Sequence, residues 1–373
     1  NKMRRGKECR MGYDWKDIHK IVEEIPVTER ELEEKKILIY GAGVQGRWAC
    51  EYLKDRYQIA GFTDKNPTIW GKDICEKHIF PLEEALKMDD CIWVVSNFGT
   101  VGVEIKRWLQ INHITAVTYM EICLLLEEEA FYHVYRDMLK DNISQKIYIS
   151  IIMGRLTGDS AYFANVYEQN QYFAIPEMNI ISDDSVWVDV GAYIGDTMET
   201  YIQTTKGIFK RIYAFEPYVA SFDELFRRTQ TLCKEWNILQ DKIVLINKAL
   251  GECEKKRYCI ETGKSGAEKV VDEAIGNRVI DVIKLDDFFE KRESPTFIKA
   301  DIEGDELAML QGARECIAKS APELAICIYH KPEDLYVIPN YIKHLNEHYK
   351  IWIRHHMPVD GETVLYAKNV KDV

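Results

Sequence analysis

The 373-residue sequence predicts an α/β protein in which each half is a doubly wound unit. In both halves, apolar strand-like runs alternate with helical patterns. The first run of each half is followed by a turn that contains glycines, at 41–46 and at 191–195, and the second run ends in an acid, Asp64 or Glu216. Because parallel strands end at one edge of their sheet, we expect a ligand site at that edge in each half.

Composition limits the class of protein. The chain exceeds one average domain, 46% of its residues are hydrophobic, and its formal net charge is −12. An acidic chain disfavours nucleic acid and anionic membranes as partners. There is no apolar run of about 20 residues, and we expect no secretory signal. The ten cysteines lack zinc-site spacing. We therefore expect a cytoplasmic protein with reduced thiols, no nucleic-acid partner and no membrane span.

The first half is predicted to contain a helical segment and then a small parallel sheet. Residues 1–33 have an amphipathic helical pattern. Four strand-like runs follow at 37–40, 59–62, 92–95 and 114–117. We predict that residues 1–120 form an N-terminal helix and a small nucleotide-binding domain, and that residues 121–180, which lack a strand pattern, form a helical connector.

A glycine-rich turn follows the first strand. Gly41, Gly43 and Gly46 have the spacing of a dinucleotide fingerprint, and Asp64 follows the second strand, where it could accept hydrogen bonds from ribose hydroxyls. The segment also resembles the nucleotide-sugar-binding domains of bacterial sugar-modifying enzymes. A degenerate fold that binds nothing is the other alternative.

The second half, residues 181–373, is predicted to be a separate domain. Its seven strand-like runs are 186–190, 211–215, 243–247, 296–300, 323–329, 350–354 and 363–367. The last two are close enough to form a hairpin. Residues 252–280 are charged and have no regular pattern, and we expect them to lie at the periphery of the site.

The first two strands of this half carry the strongest pattern. Gly191 would let the backbone approach a ligand, and Gly195 lies where a helix begins, whose amides can face a carboxylate. Asp189 would orient the ligand directly or through water. Glu216 would bind ribose hydroxyls. Glu216 could also be a helix N-terminal acid, because Pro217 suits the first helical position.

Acids and a histidine follow the fourth and fifth strands. Asp301, Glu303 and His330 are the predicted catalytic residues, which would position an acceptor hydroxyl and take its proton. We expect His330 to be neutral near pH 7. The prediction includes no metal; the alternative is that these three residues bind Mg²⁺. Asp305 and Glu306 are interpreted as acids that favour a helix N-terminus.

Two adjacent histidines, His355 and His356, follow the sixth strand. Adjacent residues do not share a helix face, so they are not expected to bind one metal ion together. We predict that they lie on the surface or at the rim of a pocket.

Five short motifs occur in an order that resembles the FkbM family of methyltransferases. They are Asp189-Val190-Gly191-Ala192, Phe215-Glu216-Pro217, Leu285-Asp286-Asp287-Phe288, the run from Lys299 to Glu306, and Leu310-Gln311-Gly312-Ala313. The resemblance covers about residues 171–367. It implies two Rossmann-like domains, of which the C-terminal one is a seven-stranded doubly wound sheet of the type found in S-adenosylmethionine (SAM)-dependent methyltransferases.

The resemblance also implies SAM as cofactor and a set of residues around it. Asn247 and Ala249 would flank the adenine, and Gln171 and Tyr172 match a segment upstream of the first motif. The full cofactor-binding set is Gln171, Tyr172, Asp189, Gly191, Tyr193, Gly195, Asp196, Thr197, Glu216, Pro217, Asn247, Ala249 and Asp301.

The function that the sequence predicts is therefore methyl transfer from SAM to a hydroxyl of a sugar or of a related glycan or natural product. The expected protein is a bacterial cytoplasmic enzyme with a small-molecule or glycan acceptor. We also expect a nucleotide-sugar at the N-terminal domain and a homodimer. Two alternatives stay open: an NAD-dependent oxidoreductase that uses the first domain, and a non-catalytic nucleotide-sensing protein.

Overall fold

The structure is a computed structural model that describes residues 13–178, 180–260, 269–271, 276 and 278–370. The chain divides into two compact units. Unit 1 contains the described residues of Asn1–Arg136, Asp141–Tyr167 and Met357–Asp360, and unit 2 those of Asp137–Lys140, Glu168–His356 and Gly361–Val373. Each unit contains a largely parallel sheet with helices, which confirms the predicted α/β class.

The sheet of unit 1 has six strands in the order β3-β4-β2-β1-β5-β6. They are β1 (Lys36–Tyr40), β2 (Ile59–Asp64), β3 (Asp73–Ile74), β4 (Lys77–Pro81), β5 (Cys91–Val95) and β6 (Ala116–Thr118). All are parallel except β3, which is antiparallel to β4. The four predicted strands correspond to β1, β2, β5 and β6. The short β3 and β4 contain polar residues and a terminal Pro81, so they give no apolar-run signal.

Eight α-helices belong to the described part of unit 1. They are α1 (Trp15–Glu23), α2 (Glu29–Glu34), α3 (Val44–Leu53), α4 (Leu82–Ala85), α5 (Gly99–Ile111), α6 (Tyr119–His133), α7 (Asn142–Thr157) and α8 (Ala161–Ala164). Capping boxes begin α2, through Thr28 and Glu31, and α6, through Thr118 and Glu121. A π-helical turn, Val134–Met138, follows α6. Most of the predicted connector region that the structure describes is therefore helical.

Unit 2 contains eleven strands within its described residues. They are β7 (Val186–Val190), β8 (Arg211–Phe215), β9 (Ile243–Ile246), β10 (Ala249–Leu250), β11 (Lys255–Ile260), β12 (Lys269–Val271), β13 (Arg278–Ile283), β14 (Phe297–Ala300), β15 (Glu323–Cys327), β16 (Tyr349–His355) and β17 (Thr363–Asn369). The main sheet has the order β16-β17-β15-β14-β7-β8-β9. All seven strands predicted in this half belong to it. The final pair is the antiparallel hairpin that the sequence suggests.

A second sheet, of order β10-β13-β11-β12, takes two of its strands, β11 and β12, and the start of β13 from the segment 252–280 that the sequence predicts to be irregular. Of that segment, residues 261–268, 272–275 and 277 lie outside the described residues. The helices of unit 2 are α9 (Asp196–Thr205), α10 (Val219–Glu235), α11 (Leu285–Phe289), α12 (Glu306–Gly312), α13 (Arg314–Ser320) and α14 (Asp334–Leu345).

Aromatic packing supports the central strands of unit 2. Trp187 of β7 is fully buried and stacks on Tyr201 of α9, with ring centroids 4.4 Å apart. Phe297 of β14 belongs to the same apolar cluster. Burial of aromatic side chains of this size dominates core energetics, so this packing holds β7 and β14 in place beneath the loops that follow them. Among the described helices, none has the length and apolar character needed to cross a membrane.

Candidate active site

Four parallel neighbouring strands of unit 2, β8, β7, β14 and β15, end at one edge of the main sheet. Each is followed by a predicted site segment: Glu216 after β8, residues 191–195 after β7, Asp301 after β14, and His330 shortly after β15. Ligands bind at this edge in open α/β sheets. The fold therefore brings predicted residues from four distant stretches of sequence to one place.

The turn after β7 requires glycine at position 191 for a reason that the sequence does not reveal. Gly191 has a φ of +78°, and a Cβ at this position would lie 2.0 Å from the carbonyl oxygen of Asp301. A side chain is therefore excluded by the neighbouring strand end, whatever a ligand requires. Gly195 is the N-cap of α9. Asp196 and Thr197 are the first two residues of that helix, and the intervening Tyr193 is 40% exposed.

Asp189 is fully buried and forms an ion pair with a buried lysine. Lys299 Nζ lies 3.1 Å from Asp189 Oδ1 and donates a hydrogen bond to the carbonyl oxygen of Gly191 at 2.8 Å. Burial raises the pKa of Asp189 and outweighs the opposing effect of Lys299. Burial alone would lower the pKa of Lys299, but the charges of Asp189 and Asp301 raise it. Asp189 thus acts on the glycine turn through Lys299, a residue that the sequence did not single out.

Glu216 is held by two backbone amides. Its Oε2 accepts a hydrogen bond from the N–H of Tyr193 at 2.9 Å, and its Oε1 accepts one from the N–H of Tyr218 at 2.9 Å. Tyr218 is the N-cap of α10. Glu216 therefore supports a helix start, as the alternative interpretation expects. Pro217 precedes the N-cap, so its expected place as the first helical residue is wrong.

The loop after β9 is tied to the loop after β8. Asn247 Nδ2 donates hydrogen bonds to the carbonyl oxygens of Glu216, at 2.9 Å, and of Pro217, at 3.0 Å. Ala249 begins β10 two residues later. The Asn247 side chain thereby fixes the backbone at the predicted ribose and adenine positions relative to each other.

The three predicted catalytic residues lie together. His330 Nε2 is 3.6 Å from Asp301 Oδ1 and 3.8 Å from Glu303 Oε2. Glu303 has a φ of +58°, and its side chain is 82% exposed. On the other side of the ring, His330 Nδ1 lies 3.1 Å from Oε1 of Glu306, which is fully buried. Glu306 begins α12 as expected, but it also belongs to this cluster, which the sequence did not predict.

The cluster sets the charge of the imidazole. Burial alone would lower the pKa of His330, but Glu306, Asp301 and Glu303 raise it to about 9. The expectation of a neutral His330 near pH 7 is therefore wrong. For Asp301, burial opposes ionisation, but Lys299 and His330 hold its pKa below the usual value. The site thus contains an imidazolium beside the ionised carboxylate of Asp301.

Two tyrosines orient Asp301. Tyr172 Oη donates a hydrogen bond to its Oδ2 at 2.8 Å, and Tyr329 Oη donates one to its Oδ1 at 3.1 Å. Gln171 Nε2 donates to the Tyr172 hydroxyl at 3.0 Å and also to the carboxylate of Glu362. Gln171 and Tyr172 therefore lie beside Asp301. Glu362, in the β16–β17 turn, is an additional site acid that no sequence motif indicates.

The paired histidines are more enclosed than predicted. His355 is fully buried, with Nδ1 2.9 Å from Thr363 Oγ1, so a surface position is wrong for it. His356 is partly buried; its Nδ1 lies 2.9 Å from the carbonyl oxygen of Glu168, and its Nε2 lies 2.8 Å from the hydroxyl of Tyr366. Burial lowers the pKa of His356 to about 4. His356 is therefore a neutral structural residue.

The donor types of the cluster also suit a metal ion. One ligand atom from each of Asp301, Glu306 and His330 lies within 4.8 Å of the others. This set differs from the sequence-based alternative, because Glu306 replaces Glu303.

The glycine turn of unit 1 is hydrogen-bonded to Asp64, as the turn of unit 2 is to Glu216. Asp64 Oδ2 accepts a hydrogen bond from the N–H of Ala42 at 2.8 Å. Gly43 is the N-cap of α3. A Cβ on Gly46 would lie 2.0 Å from the carbonyl oxygen of Gly41, so close packing of the helix on the turn requires this glycine. The predicted residues of this turn are thus gathered at the carboxyl edge of the unit 1 sheet.

Comparison with known proteins assigns unit 2 to a class. Residues 189–350 match the family model described as the methyltransferase FkbM domain. Residues 189–350, somewhat less than half of the chain, are therefore similar to the FkbM methyltransferase domain, as the motif resemblance predicts. No curated protein matches the chain.

One solved structure supports the fold, and two others have weaker similarity. The methyltransferase FkbM from Methylobacillus flagellatus KT is 23% identical and has a TM-score of 0.57 over 93% of this chain and 92% of its own. An rRNA methylase from Streptococcus thermophilus is 15% identical, with a TM-score of 0.33 over 52% of this chain and 90% of its own. A putative methyltransferase from Streptococcus mutans in complex with SAH is 12% identical, with a TM-score of 0.30 over 56% and 94%. Only the first similarity is strong enough to support a shared fold.

Proposed function

We propose that unit 2 transfers a methyl group from SAM to a hydroxyl oxygen of a sugar or of a related glycan or natural product. The observation that carries this proposal is the pairing of two kinds of group at one sheet edge. A buried carboxylate, Glu216, adjoins the glycine turn after β7, and an acid–histidine cluster follows β14 and β15. The first suits a nucleoside and the second suits a protic acceptor.

The residues at the glycine turn fit SAM. The amides of Tyr193 and Tyr218 hold the Glu216 carboxylate beside the glycine turn, where a carboxylate suits the ribose hydroxyls. The amides that begin α9 suit the methionine carboxylate. Lys299 holds the turn in place through Gly191. When bound, SAM supplies the activated methyl group; the protein supplies alignment.

The acid–histidine cluster would handle the acceptor. Methylation of a hydroxyl releases a proton, so a base is needed close to the acceptor oxygen. His330 Nε2 lies within 4 Å of a carboxylate oxygen of Asp301 and of one of Glu303. The hydroxyls of Tyr172 and Tyr329 fix Asp301 so that it can orient the acceptor. We assign the acceptor position to this cluster.

Calorimetry on the full chain tests the assignment against its alternatives. SAM, NADH and UDP-sugars are titrated separately, and glycan methylation is then assayed with labelled SAM. We expect SAM to bind and a hydroxyl to be methylated. Binding of NADH without SAM would favour an oxidoreductase. Binding of SAM without transfer to any hydroxyl acceptor would favour a non-catalytic sensor.

For unit 1, we propose that the turn Gly41–Gly46 binds a nucleotide or nucleotide-sugar. The favouring observation is that Asp64 contacts this turn in the same way that Glu216 contacts the turn of unit 2. We also propose that residues 1–120, 121–180 and 181–373 are the domain, connector and domain of a cytoplasmic enzyme.

A further inference from the structure

We infer that Asp301, Glu306 and His330 form a binding site for a divalent transition-metal ion. One ligand atom from each residue lies within 4.8 Å of the others. An ion about 2.0–2.2 Å from each ligand atom brings such atoms to about 3–4 Å from one another, so only small side-chain shifts are needed. Asp301 follows β14, Glu306 begins α12, and His330 follows β15, so three separate elements converge on this point.

Glu306 gives an independent indication of a ligand. Its side chain is fully buried. Its Oε1 accepts a hydrogen bond from the N–H of Ile302 at 2.8 Å, but its Oε2 has no hydrogen-bond partner among the described residues. A buried carboxylate oxygen without a donor is unfavourable, because its hydration is lost and nothing replaces it. A bound cation would satisfy this oxygen.

The charged groups around the imidazole of His330 also favour a bound cation. Three carboxylates, Asp301, Glu303 and Glu306, lie within 4 Å of His330. The nearby buried cation, Lys299, is engaged by Asp189 and the carbonyl oxygen of Gly191. The cluster therefore carries more negative than positive charge in a largely buried position. A divalent cation would balance two carboxylates while neutral imidazole acts as its third ligand.

The donor set selects the class of metal. Magnesium prefers oxygen ligands only, whereas imidazole suits zinc and iron, and carboxylates suit manganese. Two carboxylates and one imidazole therefore favour Mn²⁺, Fe²⁺ or Zn²⁺ over Mg²⁺. Three protein ligands leave coordination positions open. The role of the ion in the reaction rests on the proposed function. The bound ion would lower the pKa of an acceptor hydroxyl, and the exposed Glu303 would accept the proton that the hydroxyl releases. Binding itself does not depend on that function.

Calorimetric titration of the full chain tests the site. After treatment with EDTA and desalting, the protein is titrated with MnCl₂, ZnCl₂ and MgCl₂ in separate runs. We expect one Mn²⁺ or Zn²⁺ per chain, bound at least about tenfold more tightly than Mg²⁺. Glu306→Gln and His330→Ala should each weaken that binding by more than about tenfold. The matched control is Asp305→Asn, because Asp305 is in the same loop but pairs with Arg257, and it should bind metal as the unchanged chain does.

Each outcome is decisive. Glu306→Gln keeps an amide oxygen that can accept the hydrogen bond from the Ile302 N–H, and a thermal melt of this variant checks its folding. His330→Ala is a second variant, in which the hydrogen bond between Ile302 and Glu306 is not altered. Absence of Mn²⁺ and Zn²⁺ binding, tighter binding of Mg²⁺, or binding that both variants retain would overturn the inference. A SAM titration of the same protein separates the two proposals: SAM binding without metal binding removes the metal site alone, and metal binding without SAM binding removes the methyl-transfer function alone.

Discussion

Asp64 accepts a hydrogen bond from the backbone amide of Ala42, and Glu216 accepts the equivalent bond from the amide of Tyr193. In unit 1 the acid is the last residue of β2, and in unit 2 it directly follows β8. In each unit the amide belongs to the turn after the preceding strand, which is β1 or β7. The other oxygen of each acid accepts a bond from the amide two residues further along the chain. Both carboxylates are thus held in place by backbone groups before any ligand binds, which lowers the ordering cost of binding.

Glu216→Ala should weaken SAM binding by about 10- to 100-fold while the fold persists. The loss of a charge-assisted hydrogen bond costs about 1.5–3 kcal/mol, which corresponds to that change in affinity. Isothermal titration calorimetry measures it, and Glu224→Ala is the control, because Glu224 pairs with Arg227 on the exposed face of α10. Unchanged affinity in a folded Glu216→Ala protein would refute the placement of the ribose.

Asp64→Ala should reduce the affinity of the full chain for a nucleotide or nucleotide-sugar by a similar factor of about 10 to 100. The reason is the same as for Glu216, since we propose that both acids accept hydrogen bonds from ribose hydroxyls. Calorimetry with UDP-sugars and NADH measures the effect. Asp73→Ala is the control, because Asp73 is an exposed acid of the same unit. If the unchanged chain binds none of these nucleotides at the unit 1 turn, the degenerate-fold alternative is favoured.

His330→Ala and Asp301→Asn should each lower the methyl-transfer rate under saturating SAM by about 100- to 10,000-fold, the range typical for loss of a general base, because Asp301 would face the acceptor and the imidazolium of His330 lies beside its carboxylate. Rates are measured with labelled SAM, with and without EDTA. Asp305→Asn should keep its rate. Near-normal rates in both site variants would show that the proton is handled elsewhere. Reversible loss of the rate of the unchanged chain with EDTA would mean that a metal ion takes part.

Much of the unit 2 fold could be predicted from the sequence because its central strands are buried on both faces. Such strands are near-continuous apolar runs, as in Val186–Val190, and they are easy to recognise. The second sheet could not be predicted in the same way. Lys255–Ile260 and Arg278–Ile283 mix charged and apolar residues, and each is paired through long-range contacts that a single sequence does not reveal.

The site was partly predictable for a similar reason. Asp301, Glu303 and His330 follow parallel strands, so their proximity follows from the topology. The role of Lys299 was not predictable, because a lysine within a short strand gives no sign of its burial. Glu362 joins the site only through the antiparallel pairing of β16 and β17. The charge of His330 depends on Glu306, whose burial is visible only once α12 is packed.

Lys299→Met should destabilise the protein by about 3–5 kcal/mol, because it leaves Asp189 as an uncompensated buried charge. The double variant Lys299→Met/Asp189→Asn should be less destabilised than the sum of its single variants predicts. Urea denaturation at pH 7 measures both. The control is Lys255→Met, because the exposed pair of Lys255 with Glu252 should contribute little. A cost below about 1 kcal/mol for Lys299→Met would contradict a structural role for the pair.

His356 should make the folded protein sensitive to acid. Its pKa is about 4 in the folded chain, against a reference value of 6.5 that we take for the unfolded chain. As the pH falls below 6.5, the unfolded chain gains a proton that the folded chain does not, so stability that is present above pH 6.5 is lost progressively down to about pH 4.

The His356 contribution to this loss should be about 1–3 kcal/mol, since one pKa unit corresponds to about 1.4 kcal/mol and partial exposure reduces the effect. Urea denaturation of the unchanged chain and of His356→Gln, at several pH values between 4 and 7, measures the difference. In His356→Gln the decline in unfolding free energy over this range should be smaller by that amount. His344→Gln, which removes an exposed histidine of α14, should decline as the unchanged chain does. Equal declines in all three proteins would show that burial of His356 does not control the acid response.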